Sequence, residues 1–510
     1  MQFDNSAPKI VQCARIVTVI YLAFALIITV NCNFDACGIQ FSNVILFGIA
    51  VIASFVLVVI CFRRGMKHKG KSIFEKRFNV TMLMLSALLL LIQFAVVCFA
   101  SFRTGWDPEV VFKSAMQFAN GEEMTEAWYF SRYSNNYGIV LIECLLIKIC
   151  GLFGIHSQQG CYMFLEMIGY VLITISLLLM SYIIRKTTKS SFFALWGWSI
   201  GAIWIGISPW GLIPYTDSYG MIFTIAGLYC YICVNEPLTK WISLVVITIV
   251  GSSVKPTVCI LFIAVVVVEL FCLTAKKTRK CWKLLLRDTV AVIIVAGIVF
   301  FLQKFLFELV PVTVKENERF GIAHFAMMGL NSETNGSFNE KDVQFSAQFS
   351  SEKERKEKNI EVWKNRVETM KCSGLLKLGL NKTKLNYYDG TFTWAGEGDF
   401  YVTIYGGNTI VQKFYGINSG QGIFRVIAQV IWIIVLLLSV FGFFRRKATK
   451  EECVTYVAVL GISLFLLIFE CRGRYLFLYS PYYILMSIWG IQVIAEFLKK
   501  LVVEKDVRVQ

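Results

Sequence analysis

The strongest constraint on this chain is a series of apolar runs, each about 17–25 residues long, the length of helix that crosses a bilayer. They begin near residue 12 and recur almost to the C-terminus. Of 510 residues, 56% are hydrophobic and 16% charged, whereas a soluble chain carries about a quarter charged residues. The apolar excess comes in blocks instead of alternating core positions. That pattern excludes a soluble enzyme, a disordered chain and a disulfide-stapled secreted domain. It predicts an all-α polytopic membrane protein.

About 12 transmembrane helices are expected, near 12–30, 43–62, 78–101, 160–184, 192–208, 219–234, 241–254, 257–273, 289–308, 425–444, 453–469 and 475–498. The first is long, lacks a small-residue cleavage site and leads straight into further spans, so it is read as retained. Lys and Arg outnumber Asp and Glu by 50 to 34. In a soluble protein that balance would point to nucleic acid. Here the basic residues form short runs beside apolar blocks, at Arg63–Arg77, Arg185–Lys189, Lys276–Arg287, Arg445–Lys450 and Lys499–Lys500. No nucleic-acid partner is expected. With both termini cytoplasmic, every run falls on the cytoplasmic side.

That orientation holds only if residues 138–155, which carry Glu143 and Lys148, do not cross. They are read as an interfacial or re-entrant helix on the outer face, with a thirteenth span as the alternative. The expected parts are an N-terminal hairpin (1–77), a membrane core (78–309) with outer loop 102–137, an extracytoplasmic segment (310–424), and C-terminal helices (425–510). Within the third part, 351–371 alternates charged residues with Ile360, Val362, Trp363, Val367 and Met370, an amphipathic surface helix. The stretches His324–Asn331 and Trp394–Phe400 are loops that either form a lid or simply pack. Most of the 16 cysteines sit in apolar segments and act as small apolar residues. Cys32 and Cys37 share one short loop and are a candidate pair. No set of Cys and His has zinc spacing, and no metal site is assigned.

Ionisable residues not used for cytoplasmic anchoring gather on the outer side. In Gly105-Trp106-Asp107-Pro108-Glu109 two carboxylates lie at the water–lipid boundary, where partial desolvation favours a base; the plain alternative is a solvated loop with a Trp anchor. Asn135 and Asn136, among tyrosines, suit sugar hydroxyls or cap a helix. Asp217 opens a span, where an acid meets the helix dipole. Lys255, before Pro256 in a broken apolar run, is costly unless it faces an interior site. Arg472 and Arg474, with Glu470, break the positive-inside trend in a short outer loop, and arginine forks match phosphate. Glu166 and Lys304 are weaker candidates.

Together these pieces resemble the membrane-embedded GT-C glycosyltransferases, nearest the protein O-mannosyltransferase and aminoarabinose-transferase branch. The resemblance covers about 75–500 and rests on order and pattern. Leu146-Ile147-Lys148-Ile149-Cys150-Gly151-Leu152-Phe153-Gly154 matches the end of the family's interfacial helix. The family's usual Pro-Pro before it is replaced by Asn135-Asn136. The resemblance implies a sugar donor carried on polyprenyl phosphate and a glycan, lipid or protein acceptor, with membrane lipid around the chain. It implies Asp107 as general base, with Glu109 beside it. Lys255, Arg472 and Arg474 would neutralise the departing phosphate, and Asp217 would orient the sugar or a cation. Some members use a divalent cation, for which Asp107, Glu109 and Asp217 have suitable oxygens. A flippase or transporter of lipid-linked glycans would instead place ionisable groups near the midplane of matched halves. A scaffold would leave Asp107 and Lys255 dispensable.

Overall fold

Apolar runs of this length fold as helices because lipid offers the backbone no hydrogen-bond partner. The computed structural model describes residues 7–36, 39–67, 73–275, 282–308, 310, 315–394, 396, 400–405, 409–417, 419, 422–445 and 448–509. The chain opens with α1 (Lys9–Val30), a hairpin of β1 (Asn33–Ala36) and β2 (Ile39–Ser42), and α2 (Asn43–Lys67). Next come α3 (Ile73–Ala100), β3 (Phe102–Thr104), α4 (Asp107–Ala119), α5 (Ala127–Arg132) and α6 (Tyr137–Leu152). A helical series follows: α7 (Gln158–Thr188), α8 (Ser191–Gly201), α9 (Thr216–Cys233), α10 (Pro237–Val254), α11 (Cys259–Ala275) and α12 (Trp282–Glu308). A head of α13 (Ile322–Gly329), α14 (Glu340–Ala347) and α15 (Glu352–Tyr387) leads to β4 (Tyr401–Ile404) and α16 (Ile410–Tyr415). The chain closes with α17 (Ile423–Val440), α18 (Lys450–Ile468) and α19 (Ser480–Val509).

Ten described helices are long and apolar enough to cross a membrane, and Ser191–Gly206 is a shorter apolar one. This is an integral, multi-pass membrane protein. The helices α9 and α19, expected as spans, are not among the ten. The first opens on Thr216-Asp217-Ser218, and the second on Ser480-Pro481-Tyr482-Tyr483. Both opening turns are buried inside the bundle, so neither meets lipid. Conversely, α12 turns Ile293, Ile298 and Phe301 outward.

Residues Ser134–Leu152 are among the ten, although 138–155 was expected to lie on the surface. The path of the chain bears on this. Helices α3 and α7 run antiparallel: Arg185 meets Glu75 at 3.4 Å, Thr174 donates to Gln93 at 2.8 Å, and Arg103 donates to Gln158 at 3.0 Å. The segment 104–157 therefore leaves and returns at one end of the bundle, which leaves no room for a single crossing within it.

The segment 310–424 is not all exposed. Tyr387–Trp394 plunges into the bundle, where the indoles of Trp204, Trp210 and Trp432 donate to the carbonyls of Gly390, Thr391 and Tyr387 at 2.7, 2.8 and 2.7 Å. Trp394, expected in a lid or packed loop, is 1% exposed; parts of 395–399 lie outside the described residues. The expected surface helix runs from Glu352 to a break at Lys371, whose φ is 54°. Strand β3 pairs with β4 antiparallel, tying the head to the start of α4. The side chains of the basic runs at 63–76 and 276–287 lie outside the described residues, as does Cys37. The Cys32 thiol bonds the Ile28 carbonyl at 3.1 Å.

Candidate functional site

Four chain turns meet at the end of the bundle where 104–157 returns. The first is Trp106-Asp107-Pro108. Trp106 is extended, and Pro108 sits in the first helical turn, where its missing N–H costs nothing. Asp107 thus opens α4, favoured by the helix dipole, and stays partly exposed. Glu109 takes a different course. Two residues along a helix its side chain faces the other way. Its carboxylate meets Arg103 at 2.9 Å and Lys113 at 3.2 Å. It anchors α4 to β3 and does not join Asp107.

The second turn precedes α6. Asn136 is buried; its amide donates to the Tyr129 hydroxyl at 2.6 Å, and its carbonyl oxygen accepts from Tyr215 at 3.3 Å. The Tyr215 hydroxyl also lies 3.4 Å from Asp107 Oδ2. Asn135 is exposed and donates to the Asn136 oxygen at 3.2 Å, one step behind. Burial pushes the Tyr129 phenol well above its usual range, and the nearby Asp107 adds to this, so it stays a neutral hydroxyl. Gly138 brings α6 against α10: a Cβ there would stand 2.1 Å from the Ser253 carbonyl oxygen.

The third turn joins α10 to α11. Pro256 supplies no N–H and forces Lys255 into extended backbone, φ −146° and ψ 117°, so α10 stops at Val254. The Lys255 ammonium pairs with Asp217 Oδ1 and lies 4.3 Å from the Tyr475 ring centre. Asp217 sits in the first turn of α9, its side chain 4% exposed. Its other oxygen is 3.9 Å from Arg474 Nη1.

The fourth turn, Glu470–Arg474, supplies that arginine. The Arg474 guanidinium lies 4.0 Å over Trp106 and 5.8 Å from the Tyr215 ring centre, and Trp106 meets Tyr215 edge-on at 5.4 Å. Arg472 points elsewhere: it donates to Glu470 at 2.8 Å and lies 5.6 Å over Phe338, at the rim. The turn is held from beneath by Lys382, whose ammonium donates to the carbonyls of Gly329, Leu467 and Phe469 at 2.8, 2.9 and 2.7 Å.

The structure thus brings together Asp107, Asn136, Asp217, Lys255 and Arg474. It sets Asn135 and Arg472 at the edge and turns Glu109 away. Asp217 faces two cations, so the formal charges of these three side chains sum to +1. Aromatic faces wall them in, which keeps both cations poorly hydrated and favours cation–π attraction. Asp107, Glu109 and Asp217 do not make a divalent-cation site: the last two already face cations, and among the described residues no three His, Cys, Asp or Glu come together. Tyr129 belongs to the aromatic and amide stretch 129–137 that the sequence offers for sugar recognition, whereas Tyr215, Tyr475 and Lys382 carry no such reading. Tyr215 and Tyr475 each lie within two residues of a charged site residue, the one available signal.

A family model described as conserved hypothetical integral membrane protein matches residues 3–493. No curated protein matches in sequence. Among solved structures, one similar to this chain is the archaeal oligosaccharyltransferase AglB from Archaeoglobus fulgidus, in complex with an inhibitory peptide and a dolichol-phosphate. Its TM-score is 0.46 at 11% identity, covering 86% of this chain and 52% of that one, so this chain spans about half its length. ArnT from Cupriavidus metallidurans in the apo state gives 0.32 at 10% identity, covering 81% and 78%. ArnT bound to undecaprenyl phosphate gives 0.28 at 11%, covering 82% and 78%. Scores this low leave the chemistry to be argued from the chain's own residues. By the match over nearly all its length, the chain belongs to the family of conserved hypothetical integral membrane proteins.

Proposed function

We propose that this protein is a membrane-embedded glycosyltransferase. It moves a sugar from a polyprenyl-phosphate donor to an acceptor hydroxyl at the extracytoplasmic face, with inversion. The observation that carries this reading is a partly exposed acid, Asp107, in the same cluster as two nearly dry cations, Lys255 and Arg474, that both face the carboxylate of Asp217. A base open to an incoming hydroxyl and a positive cradle for a leaving anion are the two things such a transfer needs.

In this mechanism Asp107 takes the acceptor proton as the hydroxyl oxygen bonds the anomeric carbon. The carbon–oxygen bond to the donor phosphate breaks, and the electron pair leaves with the phosphate. Lys255 and Arg474 stabilise the charge that develops there. Fixed donors in a water-poor site do this with little reorganisation. Asp217 keeps both cations in place when no phosphate is bound. Tyr215 and Asn136 orient the Asp107 carboxylate and line the approach of the sugar.

The test is Asp107→Asn, assayed for sugar transfer from a polyprenyl-phosphate donor in membranes. The variant should insert and melt like wild type while losing about 10²–10⁴-fold in rate, the usual worth of a general base. Transfer at the wild-type rate removes Asp107 from the mechanism.

A further inference from the structure

A second recess lies close to this site, on the side of the head. It is a cavity of about 520 Å³ lined by Arg132 at the end of α5, Lys315 and Glu318 before α13, and Phe349 and Arg355 at the α14–α15 junction. That volume falls within the usual range of small-molecule sites, about 300–1,000 Å³. Its charge is uneven. Three cations face one acid, Glu318, which already meets Lys315 at 3.2 Å.

The floor is Arg355, 2% exposed. Its guanidinium donates to the carbonyls of Ser346 at 2.9 Å, Asn317 at 2.7 Å, Arg319 at 3.1 Å and Phe349 at 2.6 Å. These bonds fix two loops around the recess. Among the described residues no carboxylate comes within ion-pair distance of it: its direct partners are carbonyl dipoles, with Glu318 and Glu352 acting only from further off. A buried charge so held gains from a counter-ion in the cavity. At the mouth, Arg132 lies 5.3 Å over Trp128, which is 50% exposed and fixed by its indole bond to Glu126 at 2.6 Å. An exposed, immobilised indole offers a face on which a sugar ring can stack.

A chain of contacts leads from the recess to Asp107. Tyr133 follows Arg132 and packs on Tyr129 at 5.1 Å and on Phe320 at 5.5 Å; Tyr129 accepts from Asn136, and Tyr215 joins Asn136 to Asp107.

We infer that the Arg132–Lys315–Arg355 cavity is the acceptor subsite and takes an anionic saccharide, holding its phosphate or carboxylate while a neighbouring hydroxyl reaches Asp107 past Tyr133. The assignment rests on the glycosyl-transfer reading and names the class of its acceptor.

The full chain, purified in detergent, is titrated calorimetrically with glucose 6-phosphate, glucuronate, glucose and inorganic phosphate. Hydrogen bonds to charged groups are stronger than neutral ones, so at least one of the two anionic sugars should bind about tenfold or more tighter than glucose. Which of them does so tells phosphate from carboxylate. The R132Q/K315Q double variant should lose that preference. Lys315→Glu, at a side chain 74% exposed, should lower anion binding with no effect on folding. Lys341→Gln, exposed elsewhere on the head, should change nothing. Equal binding of glucose and both anionic sugars, a preference that survives both Lys315 changes, or inorganic phosphate binding as tightly as the sugars would each overturn the assignment. Undecaprenyl phosphate binding to the same preparations, with and without Arg474→Gln, reads the donor site separately. Its failure to depend on Arg474 counts against the transferase reading and leaves the cavity result standing.

Discussion

Asp217 carries more of the site than its size suggests. With one carboxylate it holds Lys255 and Arg474, all three nearly dry. Removing one member of a buried charged set costs about 3–5 kcal/mol because the rest stay charged and unmatched. Asp217→Asn should therefore lower the melting temperature in detergent. The D217N/K255M double variant should recover part of the loss. A single variant that melts like wild type would mean the trio is hydrated and loose. The legibility of these residues has the same cause. A charge in an apolar context is costly, so Asp217, Lys255 and Arg474 stand out by their places at a span's start, in a broken apolar run and in a short outer loop. Glu109 and Arg472 stood out equally, yet they serve local pairs, because which way a side chain points is set by helical phase and turn geometry. Tyrosine gives a weaker signal: with 21 in the chain, Tyr129 within 129–137 reads equally as sugar recognition or as an aromatic belt, and Tyr215 reads as packing.

At the scale of elements, the site depends on how closely helices approach. Gly138 lets α6 touch the α10 backbone just before Lys255, and α6 carries Asn136 at its start. Gly138→Ala places a methyl group where the Ser253 carbonyl stands, so the helices must part. Overpacking of this kind costs about 1–3 kcal/mol. The expected result is a lower melting temperature and a transfer rate down at least about tenfold, since such displacements misplace reacting groups. Unaltered values of both would show that α6 moves freely. Most spans were legible because a run of about twenty apolar residues has few other fates. The buried course of Tyr387–Trp394 was not. Asp389-Gly390-Thr391 looks like a surface turn, and only its distant partners make burial tolerable. Arg425 meets Asp389 at 3.3 Å, and Gln429 accepts from the Gly390 amide at 2.6 Å. Those partners lie more than thirty residues away in sequence, beyond what a local pattern carries.

At the scale of the molecule, the head and the membrane bundle differ in what holds them. The head keeps His324 wholly buried, bonded to Ser346 at 2.7 Å and packed on Phe320. Burial pushes its imidazole down to about 4, Asp342 and Arg355 acting with opposite signs. In the unfolded chain the ring titrates near 6.5. Between these values the unfolded state binds more protons, so the head is fully stable above about pH 6.5. It then loses roughly 1.4 kcal/mol per pH unit on acidification until about pH 4. Hydrogen exchange should show α13–α15 opening before the bundle at pH 5, and His324→Asn should flatten that dependence. Equal protection of the head at pH 7 and pH 5 would refute this. The antiparallel pairing of α3 and α7 has a longer reach. A stretch that starts and finishes on one rim can lengthen, shorten or be exchanged without inverting any helix threaded after it. The acid-bearing part can therefore diverge among homologues while the weave of the remaining bundle stays constant.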